Sequence, residues 1–358
     1  MLISDIELTN FRNYKKVKIK LNDGINIFYG DNAQGKTNIL ESIYVCAIGK
    51  SFRTRKDKDL IYIGEEQASV NVKYKKRDRD GEINIDISKQ KSIKLNGIKI
   101  NKLSELIGNI VVVTFTPEDI GILKNGPANR RHFLDMLIGQ LRPTYIYDLN
   151  MYLKILEQRN IYLRQIKIEN KSEDMLDIWD EKLAEYADKV YKYRTEFIKK
   201  IKDKINIIHK NITDNKEEIQ ISFNTSYVNK SQFINLLKEH RRVDIIRGVT
   251  SKGIHRDDFE IYINNKPISI YGSQGQFRTS VLSLKISELQ VIYDEIGEYP
   301  ILLLDDFMSE LDEKRRKSFI KFIDKVQVII TCTDKINIDK SDYSCFNVKK
   351  GKIIKQFT

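Results

Sequence analysis

The feature that most constrains this chain is a glycine-rich segment at residues 30–37, with the sequence Gly-Asp-Asn-Ala-Gln-Gly-Lys-Thr. It directly follows the apolar run from Ile25 to Tyr29, which predicts a β-strand, and it opens a segment whose apolar residues recur on one helical face. A strand, a glycine loop and a helix in this order are typical of a phosphate-binding loop, whose backbone amides converge at the positive end of the helix. The sequence therefore indicates an α/β fold that binds a nucleotide.

Nine consecutive residues are predicted to bind the nucleotide, and the side chains of two of them have specific expected roles. Lys36 is expected to neutralise the β- and γ-phosphate oxygens, and the Thr37 hydroxyl is expected to ligate magnesium. ATP and Mg2+ are therefore the expected cofactors. The alternative is a glycine-rich turn with an incidental lysine, which fits the position between strand and helix less well. The nine residues are Gly30, Asp31, Asn32, Ala33, Gln34, Gly35, Lys36, Thr37 and Asn38.

A second motif is a short apolar strand, Ile301 to Leu304, that runs into the paired carboxylates Asp305 and Asp306. This pattern is typical of a Walker B strand. Asp305 is expected to hold the magnesium ion through its water shell. Asp306 is the candidate catalytic residue, expected to orient or deprotonate the attacking water. The alternative is a buried strand that ends in a solvated acidic turn.

A third motif, Ser273-Gln274-Gly275-Gln276, precedes a helical segment and has two interpretations. Locally, Ser273 and Gln276 form a capping box, which is a purely structural role. A serine and glycine-backed amides at a helix N-terminus also make an anion site. Because the chain already has a phosphate loop for its own nucleotide, this second site suggests contact with a neighbour's γ-phosphate.

The distribution of periodic segments predicts two domains. Strand-like alternation dominates residues 1–116, and Thr116-Pro117-Glu118-Asp119 has the cap, proline and acidic residues of a helix start. From Trp179 to Ile208 apolar residues recur every three or four positions, which predicts a sustained amphipathic helix. We therefore expect a discontinuous head at 1–116 and 250–358, interrupted by a mainly helical arm or lid at 117–249.

The charge balance points to a polyanionic partner. The chain carries 62 Lys and Arg against 50 Asp and Glu, a net charge of +12, so nucleic acid is the first partner to test. An AT-rich genome, which inflates lysine, is the alternative explanation. No apolar run approaches the roughly 18 to 20 residues that cross a bilayer, and the three cysteines form no CxxC pair. These features predict a cytoplasmic protein with no membrane partner.

Taken together, the order of motifs resembles the head of the ABC/SMC class of ATPases and, more closely, the RecF family of bacterial recombination mediators. The resemblance extends across the chain and rests on Leu8 with Phe11-Arg12-Asn13-Tyr14, the phosphate loop, Thr116-Pro117-Glu118-Asp119, Gly126-Pro127 with Arg130-Arg131, His255-Arg256-Asp257-Asp258 and the Ser273 motif. It implies an ABC-type P-loop head with mixed β-sheets and helices. It also implies that Ser273, Gln274, Gly275 and Gln276 are the signature that contacts a partner's γ-phosphate, and that Ser309 and Asp312 belong to a D-loop.

The resemblance further implies an ATP-dependent DNA-binding protein of replication and repair. Such a protein dimerises head to head, acts on double-stranded DNA, gaps and junctions with some single-stranded binding, and works with RecR and RecO to load RecA. It places the basic residues that follow the first helix near the DNA-facing edge, which makes them DNA-binding candidates. These are Arg53, Arg55, Lys56 and Lys58.

Three departures from the family pattern qualify these expectations. Asp306 stands where a glutamate is usual, and Thr331 and Thr333 occupy the stretch where a histidine is usual, so hydrolysis should be slow. Phe52 replaces a frequent histidine. The missing histidine also argues against the main alternative, an ATPase subunit of an ABC transporter. A GTPase is disfavoured because no NKxD motif is present, and a nuclease would require a further acidic metal cluster.

Overall fold

The computed structural model describes residues 1–77, 79–307, 319, 323, 326–334 and 343–356, which divide into two compact units. Unit 1 comprises Met1–Asp119 and Leu282–Thr358, and unit 2 comprises Ile120–Val281. The chain therefore leaves the first unit once and returns to it. Each unit has its own sheets, helices and buried apolar residues.

Unit 1 contains the strands that form two six-stranded sheets. They are β1 (Leu2–Phe11), β2 (Tyr14–Lys20), β3 (Ile25–Tyr29), β4 (Ala68–Lys76), β5 (Arg79–Ile87), β6 (Ser92–Leu95), β7 (Ile98–Ile100), β8 (Val112–Phe115), β12 (Ile301–Asp305), β13 (Val328–Cys332), β14 (Tyr343–Lys349) and β15 (Lys352–Gln356). Helices α1 (Lys36–Ile48) and α2 (Leu103–Leu106) also belong to unit 1.

The first sheet is antiparallel, in the order β2-β1-β4-β5-β6-β7. Its central strands alternate buried and less buried residues, as a sheet with one covered face requires. A hairpin turn at Asn96-Gly97 joins β6 to β7, and both residues have positive φ, 51° and 80°, as a tight turn between antiparallel strands requires.

The second sheet has the order β15-β14-β3-β13-β12-β8, and every neighbouring pair is parallel except β14 with β15. Strands β3, β12 and β13 are apolar and almost wholly buried, as expected for parallel strands covered on both faces. Tyr29 pairs with Cys332, and Asp305 pairs with Thr331. The carboxyl ends of β3, β13 and β12 therefore lie side by side at one edge of the sheet.

Helix α1 explains how the phosphate loop is anchored. It runs from Lys36 to Ile48 and is capped by Gly49, which adopts a left-handed φ of 78° and donates its N–H to the Val45 carbonyl. Nearly every residue of α1 after its first turn is buried, so the helix is part of the core of unit 1. Its N-terminus is thereby held at the end of β3.

Unit 2 is dominated by helices. They are α3 (Gly121–Lys124), α4 (Pro127–Leu141), α5 (Pro143–Glu169), α6 (Met175–Thr213), α7 (Lys230–Arg247) and α8 (Ile268–Tyr271), together with the first turns of α9 (Gln274–Ile296). Its sheet has the order β11-β10-β9, formed by β9 (Ile219–Asn224), β10 (Asp258–Ile263) and β11 (Lys266–Pro267). The predicted amphipathic helix is confirmed within α6, whose 39 residues span about 60 Å.

The predicted domain boundaries differ from these units slightly at the first boundary, which we placed after residue 116 and which lies after Asp119, and more at the second. We placed the second part of the head from residue 250 onward, whereas the chain up to Val281 belongs to unit 2. The physical reason is the pairing of β10 with β9, which ties Asp258 to Asn224 and Ile263 to Ile219. The change from one unit to the other lies within helix α9, after the Ser273 motif.

Candidate nucleotide-binding site

The phosphate loop joins β3 to α1 and requires glycine at both of its ends. Gly30 has a φ of 147°, and a side chain there would place its Cβ 2.4 Å from the Val348 carbonyl oxygen. Gly35 has a φ of 113°, and its Cβ would lie 2.4 Å from the Asn13 side chain. No L-residue with a side chain fits these positions without strain. The first amides of α1 lie at the end of this loop and have no partner within the helix.

Lys36 lies across this loop. Its Nζ donates hydrogen bonds to the carbonyl oxygens of Gly30, at 2.6 Å, and Asp31, at 3.0 Å, and the side chain is buried. The ammonium group is therefore held beside the loop amides, where a phosphate would meet both a positive charge and N–H donors.

Residues at the turn between β1 and β2 hydrogen-bond to the phosphate loop and to the first turn of α1. Asn13 donates from Nδ2 to the Gln34 carbonyl at 2.7 Å and accepts at Oδ1 from Asn38 at 2.9 Å. The Tyr14 hydroxyl donates to the Gly35 carbonyl at 3.0 Å. Sequence reasoning gave these two residues no role beyond their part in the family resemblance. That resemblance was the only signal that could have found them.

The acidic pair at the end of β12 meets the loop helix directly. Asp305 Oδ1 accepts hydrogen bonds from the Thr37 hydroxyl at 2.8 Å and from the Thr331 hydroxyl at 2.7 Å. The Asp306 N–H in turn donates to Thr331 Oγ1 at 3.1 Å. Thr331 is fully buried at the end of β13, the strand between the phosphate-loop strand and the acidic strand. Its hydroxyl therefore ties both aspartates to the sheet.

Asp306, the candidate catalytic residue, has an uncommon backbone conformation and a shifted pKa. It lies half-buried immediately after β12 with a left-handed φ of 47°. Partial burial raises the pKa of its carboxyl group above the ordinary value, the nearby Lys36 ammonium opposes this rise, and Asp305 adds to it. A carboxylate with a raised pKa is a stronger base toward water.

The residues present fit a magnesium ion of the kind that a bound nucleotide brings. Thr37 and Asp305 offer a hydroxyl and a carboxylate oxygen, which are ligands that Mg2+ prefers. Among the described residues no group of three or more His, Cys, Asp and Glu side chains is placed to hold a metal. An ion at this position would therefore depend on phosphate oxygens and water for its other ligands.

The Ser273 motif lies in unit 2 and forms the predicted capping box. Gln276 N–H donates to Ser273 Oγ at 3.2 Å, and Ser273 N–H donates to Gln276 Oε1 at 2.9 Å. Ser273 and Gln274 are exposed, while Gly275 and Gln276 are partly buried. Gln276 Nε2 also donates to Glu217 Oε1 at 2.9 Å. The local interpretation of the motif as a capping box is thus confirmed.

Comparison with known families identifies the chain. The family model described as the RecF/RecN/SMC N terminal domain matches residues 2–354. The chain belongs to this family. Among curated relatives, the DNA replication and repair protein RecF of Clostridium beijerinckii is 45% identical over 369 residues, covering 99% of both chains. The protein of the same name from Clostridium perfringens strain SM101 is 43% identical over 362 residues, again covering 99% of each.

Two solved structures extend the comparison to the fold. The structure of the recombination mediator protein RecF with ATP in the RecFOR pathway has a TM-score of 0.92 and 38% identity, covering 99% of this chain and 98% of that one. The Smc head domain of Pyrococcus furiosus, solved with an extended coiled coil and bound to the C-terminal domain of ScpA, has a TM-score of 0.57 and 17% identity, covering 99% and 96%. The resemblance to the RecF family and the expected ABC-type ATPase head are both confirmed.

Within this RecF/RecN/SMC fold, the four basic DNA-binding candidates are all exposed but differ in their surroundings. Arg53 Nη1 donates to Asn38 Oδ1 at 2.8 Å and lies 3.7 Å from Glu41 Oε2. Glu41 is fully buried and is also paired with Arg12 at 2.6 Å. Arg53 is therefore tied to the helix of the phosphate loop. The other three are exposed on the segment that follows it: Arg55, Lys56 and Lys58.

Residues of the family resemblance in unit 2 form ionic and hydrogen-bonded contacts with neighbouring side chains, some buried and some partly buried. Arg130 forms a paired contact with the Asp258 carboxylate at 2.6 and 2.9 Å, and Arg194 contacts Asp257 at 3.1 Å. His255 contacts the Tyr152 hydroxyl at 2.7 Å, and burial lowers its pKa to about 4. These residues hold α4, α5, α6 and the start of β10 together.

Two expectations are limited by what the structure describes. The predicted D-loop residues Ser309 and Asp312 lie outside the described residues. Within the described part of the chain, no helix is both long enough and apolar enough to cross a membrane.

Proposed function

We propose that this chain is an ATP-dependent recombination mediator, a DNA-binding ATPase of replication and repair. The observation that carries this proposal is the meeting of Thr37 with Asp305 at one sheet edge, in a chain that matches RecF proteins over almost its whole length. Those relatives are named as DNA replication and repair proteins, and one solved relative contains ATP. The transporter alternative is not favoured, because the relatives named here are RecF and Smc proteins.

ATP is the nucleotide expected in this site, with Mg2+ as its companion ion. The loop amides and Lys36 would bind the β- and γ-phosphates, and Thr37 and Asp305 would hold the ion. A bound ion supplies charge neutralisation to the phosphates. Asp306 would accept a proton from the attacking water, which its raised pKa favours. Because its side chain is one methylene shorter than the usual glutamate, we expect slow hydrolysis.

Hydrolysis would serve as a timer for a dimer. In this proposal the exposed Ser273 of one molecule contacts the γ-phosphate held by a second molecule, so that ATP joins two heads and hydrolysis releases them. Support comes from the exposure of Ser273 at the start of α9. The hydrogen bonds between Ser273 and Gln276 are also those of a helix cap. A cap alone would stabilise the fold by about 1 kcal/mol and would not contribute to dimerisation.

One experiment separates these two roles of Ser273. Ser273→Arg should leave ATP affinity of the monomer within about twofold and prevent ATP-driven dimerisation, because the long arginine side chain would keep this helix start from approaching the second molecule's γ-phosphate. Sedimentation with and without ATP measures the mass, and thermal melting confirms folding. Ser231→Arg, an exposed serine in the first turn of α7, is the matched control. A folded Ser273→Arg protein that dimerises like the wild type contradicts the composite-site proposal.

DNA is the proposed polyanionic partner, at double-stranded regions, gaps and junctions, with RecR and RecO as protein partners by resemblance. The net charge of +12 and the exposed Arg55, Lys56 and Lys58 support it. Binding should weaken steeply with salt because the contacts are to phosphates. Alanine substitutions at these three positions should lower the slope of log affinity against log salt by up to about 3, one per lost contact. A salt-independent anisotropy signal would remove DNA as the partner.

A cytoplasmic location remains a prediction.

A further inference from the structure

A chain of polar contacts within unit 2 links the Ser273 motif to the end of the long helix α6. Gln276, in the first turn of α9, donates from Nε2 to Glu217 Oε1 at 2.9 Å. The other carboxylate oxygen of Glu217 lies 3.3 Å from Nε2 of His209, a fully buried residue in the last turns of α6. Glu217 therefore lies between the buried His209 side chain and the Gln276 amide that pairs with Ser273.

The backbone around Glu217 is held on both sides. Residues 214–218 connect α6 to β9, and the Glu218 N–H donates to Asn264 Oδ1 at 2.9 Å. The Asn264 N–H donates back to the Glu218 carbonyl at 3.0 Å, and the Ile219 N–H donates to Asn206 Oδ1 at 3.1 Å. The Glu217 carboxylate is thereby presented to Gln276 from a fixed connection.

The contact between Glu217 and Gln276 determines which way the Gln276 side-chain amide faces. The Gln276 side chain has one end that only donates and one end that only accepts, and rotation by half a turn exchanges them. An ionised carboxylate only accepts, so Glu217 requires the NH2 end of Gln276 to face it. The carbonyl end then faces the Ser273 N–H, which needs an acceptor. Without Glu217, no acceptor holds the NH2 end of Gln276 in this direction, and the amide can turn that end toward another acceptor.

We propose that Glu217 is a positioning residue for the Ser273 signature. By fixing the orientation of the Gln276 amide, it holds the Ser273 backbone and hydroxyl in the geometry that meets the second molecule's nucleotide. The effect on assembly rests on the proposed function of Ser273. The effect on the hydrogen bond between Ser273 and Gln276 is independent of that proposed function, because it follows from contacts within one molecule.

The test compares three variants of the full chain. Glu217→Ala removes the acceptor, Glu217→Gln retains one carbonyl oxygen that can accept from Gln276, and Glu218→Ala removes the adjacent carboxylate, which instead pairs with Lys210. Amide hydrogen exchange of peptides covering Ser273 reports the local hydrogen bond. Sedimentation with ATP reports the dimer, and nucleotide titration reports the loop.

We expect Glu217→Ala to accelerate exchange at Ser273 by about tenfold or more. The dimer constant should fall by about tenfold for each signature, hence about a hundredfold for the two signatures of a symmetric dimer. Monomer ATP affinity should change less than about twofold, since Lys36 and the loop lie elsewhere in the chain. Glu217→Gln and Glu218→Ala should stay within about threefold of wild type in both exchange and assembly.

Unchanged exchange at Ser273 in Glu217→Ala overturns the proposal, whatever the dimer does. Faster exchange with unaltered ATP-driven assembly overturns the positioning role and leaves Glu217 as part of a helix cap. If the wild type itself does not dimerise with ATP, the proposed dimer cycle is wrong, and the exchange comparison still decides whether Glu217 orients Gln276. Equal effects of Glu218→Ala and Glu217→Ala would also contradict the proposal, because a general loss of charge would then explain both.

Discussion

Thr331 offers the most direct test of how the acidic pair is held. Thr331→Val replaces a fully buried hydroxyl by a methyl group of similar size, so little cavity is created. Asp305 loses one of two hydroxyl donors and keeps Thr37, and the Asp306 N–H loses its acceptor at 3.1 Å. A hydrogen bond to a charged acceptor contributes about 1.5–3 kcal/mol, and an unpaired N–H costs about 1–3 kcal/mol when fully buried and less at the half-buried Asp306.

With partial relaxation, we expect the free energy of unfolding to fall by about 3 kcal/mol, and the melting temperature by roughly 5 °C. Hydrolysis should suffer more than binding, because both aspartates move while the phosphate loop is untouched. A displacement that raises the barrier by about 1.4–2.8 kcal/mol lowers kcat by about 10- to 100-fold. The dissociation constant of ATP should change less than about threefold.

The measurements are thermal melting, nucleotide titration and steady-state ATP hydrolysis with saturating DNA. Thr331→Ser keeps the hydroxyl and should retain most activity. Thr333→Val removes an exposed hydroxyl two residues further on and should change nothing. If Thr331→Val hydrolyses ATP at the wild-type rate, or if Thr331→Ser is equally impaired, the hydroxyl does not hold the acidic pair and the reasoning fails.

Further predictions concern the loop, the base and two buried groups. Lys36→Ala should weaken ATP binding by about a hundredfold, because a charge-assisted contact to two phosphates is lost, and equal affinity by calorimetry would contradict this. Asp306→Asn should slow hydrolysis and make the ATP dimer persist in sedimentation, whereas rapid turnover would exclude Asp306 as the base. In unit 2 the fully buried Arg159 contacts the buried carboxylates of Asp180 at 2.6 Å and Asp244 at 2.8 Å. Arg159→Met removes this partner from both and should lower the free energy of unfolding by about 3–5 kcal/mol in denaturant unfolding, so a loss below about 1 kcal/mol would contradict the role of this buried pairing. Burial lowers the pKa of His255 to about 4, so below about pH 6.5 the unfolded chain binds a proton that the native chain does not, and the free energy of unfolding falls as the pH drops. Between pH 7 and pH 5 the wild type should therefore lose about 2 kcal/mol more stability than His255→Asn. Parallel stability profiles of the two proteins against pH would refute this.

Local sequence patterns were sufficient to predict those parts of the site whose residues are close together in the sequence. The phosphate loop could be predicted because Gly30 and Gly35 mark required backbone conformations, and the acidic strand because an apolar run ends in two carboxylates. The capping box at Ser273 was also readable, since its partners are three residues apart. Such features depend on neighbours along the chain.

Contacts between distant segments could not be predicted in the same way. Thr331 reaches Asp305 because β13 and β12 pair in one register, and nothing in either strand alone specifies that register. Asn13 reaches the phosphate loop through a turn between two other strands. Likewise, the pairing of β10 with β9 assigns residues after 250 to unit 2, although the local pattern of those residues is ordinary strand and turn.

The position of β3 in its sheet has a consequence for biosynthesis. This strand is flanked by β13 and β14, whose paired residues emerge from the ribosome ~300 residues later. Both edges of an apolar strand thus remain without their native neighbours until translation is almost complete, and unpaired apolar edges promote aggregation. The nucleotide pocket is therefore the last part of unit 1 to become complete on a nascent chain. We expect ribosome-bound intermediates that end before residue 326 to lack ATP binding and to engage holding chaperones, while unit 2, which is continuous in sequence, is free to fold first.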